Sequence, residues 1–205
     1  MRPLVKICGL KRAEDAELAV SLGAHFVGAV RTAGSPRRVS VAEARALFAR
    51  VGSKAARVLV FRDYTLEDVI SDASTSGADW VQLYDASDSD VRRVEDAGLR
   101  VLRVYTMSEQ AKGLPAFLSE PAADRPALLD VGFGGSGRTF DWSLLGTNAP
   151  GFTFVAGGIR PENVSDLLER RPYGIDLSSG VEKEPSVKDE GKLRKLFERI
   201  GGKPR

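Results

Sequence analysis

One cysteine and one histidine among 205 residues leave little room for the chemistry those side chains usually bring. A lone thiol closes no internal disulfide, and one cysteine beside one histidine builds no His/Cys metal cluster, which leaves a metal only an all-carboxylate site. Long apolar runs are missing as well. Nothing approaches the roughly 18 residues of a membrane span, and Met1-Arg2-Pro3 leads into Val5-Lys6-Ile7-Cys8 without the pattern of a signal peptide. A cytoplasmic location is expected. Charge of one sign is scarce too: 30 basic residues against 28 acidic ones leave +2, with no basic block. Neither nucleic acid nor an anionic membrane surface is therefore an expected partner. A small molecule is.

What the chain does have is a strict alternation of short apolar strands and helical runs. Leu4 to Cys8, Phe26 to Val30, Arg57 to Phe61, Trp80 to Leu83, Val101 to Tyr105 and Ala127 to Asp130 read as strands. Helices are expected over Arg12 to Leu22, Val41 to Arg50, Thr65 to Ser76, Ser87 to Ala97 and Ser108 to Leu118, with a stub at Trp142 to Leu145. Ser40 with Glu43 three residues on is a capping box, and Gly98 a stop signal.

Phe152 to Glu182 holds the last two strands and a helix expected to start at Pro161. Val187 to Ile200 reads as a closing amphipathic helix. Eight strand–helix units with no linker or composition shift predict one α/β domain over residues 1–205, a compact (β/α)8 TIM barrel. An open doubly wound sheet is the structural rival, but gives no reason for eight units.

Side chains alternate along a strand, so an apolar face against the helices turns the other residues inward. On this rule Tyr173, Ile175 and Leu177 face the helices while Asp176 and Ser178 face in. Val5 and Ile7 face out while Lys6 and Cys8 face in, and Gln82, Arg103 and Asp130 are also expected inside. Buried cations need partners, and inward carboxylates such as Asp130 and Asp176 are the candidates to compensate Lys6 and Arg103.

Barrel active sites form where strands end at the C-terminal mouth. Cys8 ends strand one; it is either a buried small hydrophobe or a general base, and nearby Lys6 would favour its thiolate. Asp130 ends strand six; it is either a cap for the glycine-rich loop or a general acid whose proton is retained by burial. Arg37 and Arg38 are either solvated charges or a clamp for a substrate carboxylate. Gly134-Gly135-Ser136-Gly137 is a hinge or a lid. Gly157, Gly158, Ser179 and Gly180 follow strands seven and eight, where barrels of this build hold phosphate. His25, at the opposite end, reads as structural.

In combination and order, several segments resemble the phosphoribosylanthranilate isomerases of tryptophan biosynthesis from end to end. They are Val5 to Leu10, Ser35 to Ser40, Val81 to Leu83, Leu128 to Asp130, Gly134 to Trp142, Ala156 to Val164 and Asp176 to Glu182. The resemblance implies an Amadori rearrangement of a phosphorylated sugar amine without metal or cofactor. It implies Asp130 as general acid, Cys8 as general base and Arg37 and Asp176 as substrate contacts. Gly157, Gly158, Ser179 and Gly180 would cradle the phosphate.

Two segments depart from the family pattern. Tyr84-Asp85 stands where Val-Gln-Leu is usually followed by His-Gly, and Arg31 to Gly34 lacks an aromatic residue often found there. Both lie at the mouth and bear on substrate breadth. The histidine-pathway ribotide isomerase and indole-glycerol-phosphate synthase are similar barrels, but Cys8 argues against both. A dual-substrate isomerase and a non-catalytic phosphometabolite-binding barrel are the alternatives, and monomer and homodimer both stay open.

Overall fold

The computed structural model of the protein describes residues 2–115, 121–132 and 137–201. Its strands are β1 (Leu4–Ile7), β2 (Phe26–Val30), β3 (Ala56–Phe61), β4 (Trp80–Tyr84), β5 (Arg100–Met107), β6 (Ala127–Val131), β7 (Thr153–Val155) and β8 (Gly174–Leu177). They pair in parallel, each with the next, and β8 closes on β1. Helices α1 (Ala13–Leu22), α2 (Val41–Val51), α3 (Leu66–Ser76), α4 (Asp88–Asp96) and α5 (Val164–Leu168), and a 3-10 turn at Trp142–Leu145, fill crossovers. After β8 come a 3-10 turn at Ser179–Val181, a hairpin of β9 (Glu182–Glu184) and β10 (Val187–Lys188), and α6 (Glu190–Arg199). This is the (β/α)8 TIM barrel read from the alternation.

Local chemistry starts these helices where the chain needs them. The Ser40 hydroxyl accepts from the Glu43 N–H at 3.1 Å while the Glu43 carboxylate accepts from the Ser40 N–H at 2.6 Å, closing the capping box. Thr65 caps α3 and Ser87 with Asp90 forms a second box at α4. At the barrel seam Leu4, Val5, Lys6 and Ile7 pair in register with Gly174, Ile175, Asp176 and Leu177. Val5, Ile7, Ile175 and Leu177 join the apolar layer under the helices, and Cys8 joins the inner cluster.

Several expectations are corrected. Arg103 lies outside the barrel: Leu102 and Val104 belong to the inner cluster, so alternation turns Arg103 to the helix side, where it pairs with Asp88 of α4. Its carboxylate partner is thus Asp88 and neither Asp130 nor Asp176. No helix covers residues 108–115, where Gly113 and Pro115 interrupt any helical run; the remainder of that expected helix, 116–120, lies outside the described residues. Pro161 sits in a turn in which Asn163 accepts from the Arg160 N–H and donates to the Gly158 carbonyl, delaying α5 to Val164. The last helix begins at Glu190, because Val187 and Lys188 pair with β9 instead.

Tyr173 also departs from its expected face, since it precedes β8 and turns its ring inward. There it meets Phe154 edge-on at 5.7 Å, and Phe26 meets Phe154 at 5.5 Å and Trp80 at 5.8 Å. These edge-to-face contacts make an aromatic floor at the N-terminal end of the barrel. Gly174 makes room for it: a Cβ there would lie 2.3 Å from two Phe154 ring carbons. Gly174→Ala should therefore destabilise the fold by about 1–3 kcal/mol, the usual cost of overpacking. Urea unfolding checks this, and an unchanged midpoint would show that the floor yields.

Candidate active site

At the opposite end of the barrel a cavity of about 360 Å³ opens between the strand ends. Cys8, Arg37, Asp130, Asp176, Gly157, Gly158, Ser179 and Gly180 all line it, so these eight candidates meet in one space. Residues 133–136, most of the expected glycine-rich lid, lie outside the described residues. Arg38 is exposed, its backbone bridged to Val30. His25 is at the far end, where its Nδ1 accepts from the Val5 N–H at 3.1 Å.

The buried base of the cavity is ionic. Lys6, with no exposed surface, donates to Asp176 Oδ2 at 2.9 Å. Burial alone would lower the Lys6 pKa, but Asp176 and Cys8 outweigh it and the net shift is upward. Cys8 follows β1 with its N–H donating to the Leu177 carbonyl at 2.8 Å, and Gly28 of β2 gives its sulfur room: a Cβ there would lie 2.9 Å from Sγ. Burial pushes the Cys8 thiol above its ordinary range, and Lys6 only partly opposes it. The ligand-free protein therefore favours thiol, contrary to the expectation drawn from Lys6 alone.

Arg37 differs from the simple carboxylate clamp. Its Nε and Nη2 donate to the two oxygens of Glu182 at 2.9 and 2.6 Å, a bidentate pair that is itself buried. Lys188 donates to the same Glu182 at 2.8 Å and to the Ser178 carbonyl at 3.1 Å. Burial raises the Glu182 pKa, yet Arg37 and Lys188 together bring it below the ordinary range. One edge of the Arg37 fork is thus braced from beneath. The sequence reading missed Glu182 because its pairing with Arg37 across 145 residues leaves no local pattern, and Lys188 because it was assigned to the closing helix when it pairs in the hairpin with β9.

Asp130 ends the inner row of β6. Its Oδ1 accepts from the Val131 N–H at 2.8 Å and its Oδ2 from the Tyr84 hydroxyl at 2.6 Å. Burial pushes its pKa up to about 6, with Asp176 adding to the rise while Tyr84, Val131 and Lys6 oppose it. Tyr84 stands at the site's chain-specific segment; the sequence marked its position but not its partner.

Glycine shapes the other wall. Gly157 and Gly158 have φ of +89° and +60°, and a Cβ on Gly158 would lie 2.6 Å from the Gly137 carbonyl oxygen. On Gly180 it would fall 1.9 Å from the Ile159 carbonyl oxygen. The loops after β7 and β8 are thus packed backbone to backbone. Three buried atoms of cavity-lining residues, Gln82 Oε1, Asp176 Oδ1 and Ser178 Oγ, have no hydrogen-bond partner among the described residues. Such atoms are costly unless a ligand or water satisfies them.

Fold and mouth together define a barrel enzyme, with a carboxyl group and a thiol lining one pocket at the C-terminal ends of the strands. The family model for N-(5'phosphoribosyl)anthranilate (PRA) isomerase matches residues 5–199. The chain belongs to this family. It is 38% identical over 200 residues to N-(5'-phosphoribosyl)anthranilate isomerase of Rubrobacter xylanophilus, covering 94% of this chain and 96% of that protein.

The crystal structure of phosphoribosyl anthranilate isomerase from Thermus thermophilus superposes with a TM-score of 0.87 at 37% identity, covering 97% of this chain and 98% of that one. A phosphoribosyl anthranilate isomerase in complex with reduced 1-(o-carboxyphenylamino)-1-deoxyribulose 5-phosphate gives 0.80 at 27% identity, with the same coverage.

Two outcomes test the electrostatics. Because Cys8 is the chain's single thiol, iodoacetamide uptake reads it alone. The alkylation rate of the folded, ligand-free protein should reach half its maximum at higher pH than that of the urea-unfolded chain; an equal or lower midpoint would refute dominance by burial. For Asp130 the folded pKa is above the unfolded one, so its contribution to stability is full below 3.8 and lost as pH rises through about 6. That loss is on the order of 2–3 kcal/mol, and Asp130→Asn should flatten the stability profile across this window in urea titrations.

Proposed function

We propose that Cys8 and Asp130 carry out the Amadori rearrangement of N-(5-phosphoribosyl)anthranilate to 1-(2-carboxyphenylamino)-1-deoxyribulose 5-phosphate. The observation that carries the reading is their meeting in one cavity with a braced arginine and two glycine-lined loops.

In the first step the Asp130 carboxyl gives its proton to the furanose ring oxygen. The bond from that oxygen to the first sugar carbon breaks, and the nitrogen lone pair forms a Schiff base. The Cys8 thiolate then takes the proton from the second sugar carbon. The electrons of that bond become the carbon–carbon double bond of an enolamine, and its hydroxyl proton leaves as the first carbon gains one, giving the ketone. Gly157, Gly158, Ser179 and Gly180 hold the phosphate, Arg37 meets the anthranilate carboxylate, and Asp176 contacts the sugar through Oδ1. These groups orient the substrate between acid and base.

The pKa directions add a constraint. Near neutral pH the ligand-free pair holds one proton, mainly on sulfur, whereas ring opening needs it on Asp130. The reactive arrangement is a minor tautomer of the correct total charge, and the two limbs of the pH–rate profile belong to the pair. Ring opening creates an iminium cation, which lowers the cost of the thiolate when it is needed.

Cys8→Ala and Asp130→Asn should each lower kcat roughly 10²- to 10⁴-fold, while titration calorimetry shows the reduced product analogue still bound. Normal turnover by both variants would defeat the assignment of acid and base to these two residues.

A further inference from the structure

Asp130 is gripped by two donors of different kinds. The Val131 N–H is backbone and cannot turn away from Oδ1, whereas the Tyr84 hydroxyl on Oδ2 rotates about a single bond. Among the described residues, Tyr84 is the one side chain shown hydrogen-bonded to this carboxylate. Its ring is pinned in turn. The Arg62 guanidinium lies 4.2 Å from the ring centroid, and its Nη2 donates to the Gly132 carbonyl at 3.0 Å, two residues beyond Asp130. Arg62 of the β3 loop, Tyr84 at the end of β4 and the end of β6 therefore form one braced unit at the cavity wall.

We propose that Tyr84 is the positioning residue of this site, which fixes the Asp130 carboxyl and governs when it accepts its proton. A phenol that donates to a carboxylate favours the charged form over the neutral acid. A cation over the ring withdraws electron density and sharpens the donor. When Asp130 takes a proton, the hydroxyl turns and its oxygen is free to accept. Other charged groups act here: Lys6 of β1 and Asp176 of β8 on Asp130, Cys8 after β1 and Asp176 on Tyr84, with Arg62 over the tyrosine ring. Lys6 is engaged by Asp176. Tyr84 is the member of this set that touches the carboxylate directly and whose donor strength can be altered alone.

The catalytic part of the proposal rests on Asp130 being the general acid; the contact itself does not. The test is a graded series at position 84: tyrosine, Tyr84→Phe, and 3-fluorotyrosine, a stronger donor of nearly the same shape. In ligand-free protein with 13Cγ-labelled aspartate, the Asp130 resonance is assigned by its loss in Asp130→Asn and followed with pH. The midpoint, near 6 in the wild-type chain, should rise by about one to two pH units with phenylalanine, the effect of a hydrogen bond to a charged group. It should fall below the wild-type value with 3-fluorotyrosine.

The acid limb of kcat/KM should move in the same order, a response that a merely structural role would not give. Midpoints that agree across the series within about 0.3 unit, well under the effect of such a bond, overturn the proposal. If Tyr84→Phe does not fold, the 3-fluorotyrosine protein decides alone. Midpoints that move while the limb stays fixed support the clamp and instead refute Asp130 as the acid.

Discussion

The buried pair of Lys6 and Asp176 is the constraint on which the rest turns. It joins the first and last strands where the barrel closes, between residues already opposite one another in the ladder. An ammonium with no exposed surface is tolerated only with its carboxylate in place. The seam and the chemistry thus share the same atoms. Asp176 gives Oδ2 to Lys6, while its buried Oδ1 has no partner among the described residues. Lys6 in turn lies beneath Cys8 and moderates the effect of burial on the thiol.

Charge balance around the cavity follows from this pair. Lys6, Arg37 and Lys188 are three cations; Asp176 and Glu182 are the carboxylates bound directly to them. These cations exceed their bound carboxylates by one, which Asp130 offsets when ionised; Lys6 and Lys188 both favour the Cys8 thiolate against burial. Asp130 stands apart, answered by a phenol and a backbone N–H rather than a cation. Its environment retains a proton more readily than that of an ordinary carboxylate, so acid and base differ in their surroundings before any ligand arrives.

Most of the barrel was legible because each strand is short and several crossovers carry their own start signal, at Ser40, Thr65 and Ser87. Strands β1 and β8 gave the correct inward faces, since Lys6 and Asp176 alternate with Val5, Ile7, Ile175 and Leu177. In β5 the same reasoning failed. Apolar residues occupy both of its faces, Leu102 and Val104 inside and Val101 and Met107 outside, so alternation alone does not tell the two apart. Arg103 then looked like a member of the polar interior when it belongs to the surface. The braces of Arg37 and Asp130 were hidden for another reason. Glu182, Lys188 and Tyr84 acquire their meaning only from residues on other strands and loops, and no spacing along one element records that.

The aromatic floor has a consequence for how such a molecule can change over time. Phe26, Trp80, Phe154 and Tyr173 seal one end of the cylinder without contributing a residue to the cavity at the other. Rim loops can therefore be rewritten while the plug goes on anchoring the staves. A lineage exploring new ligands would redraft the open end and inherit the sealed one.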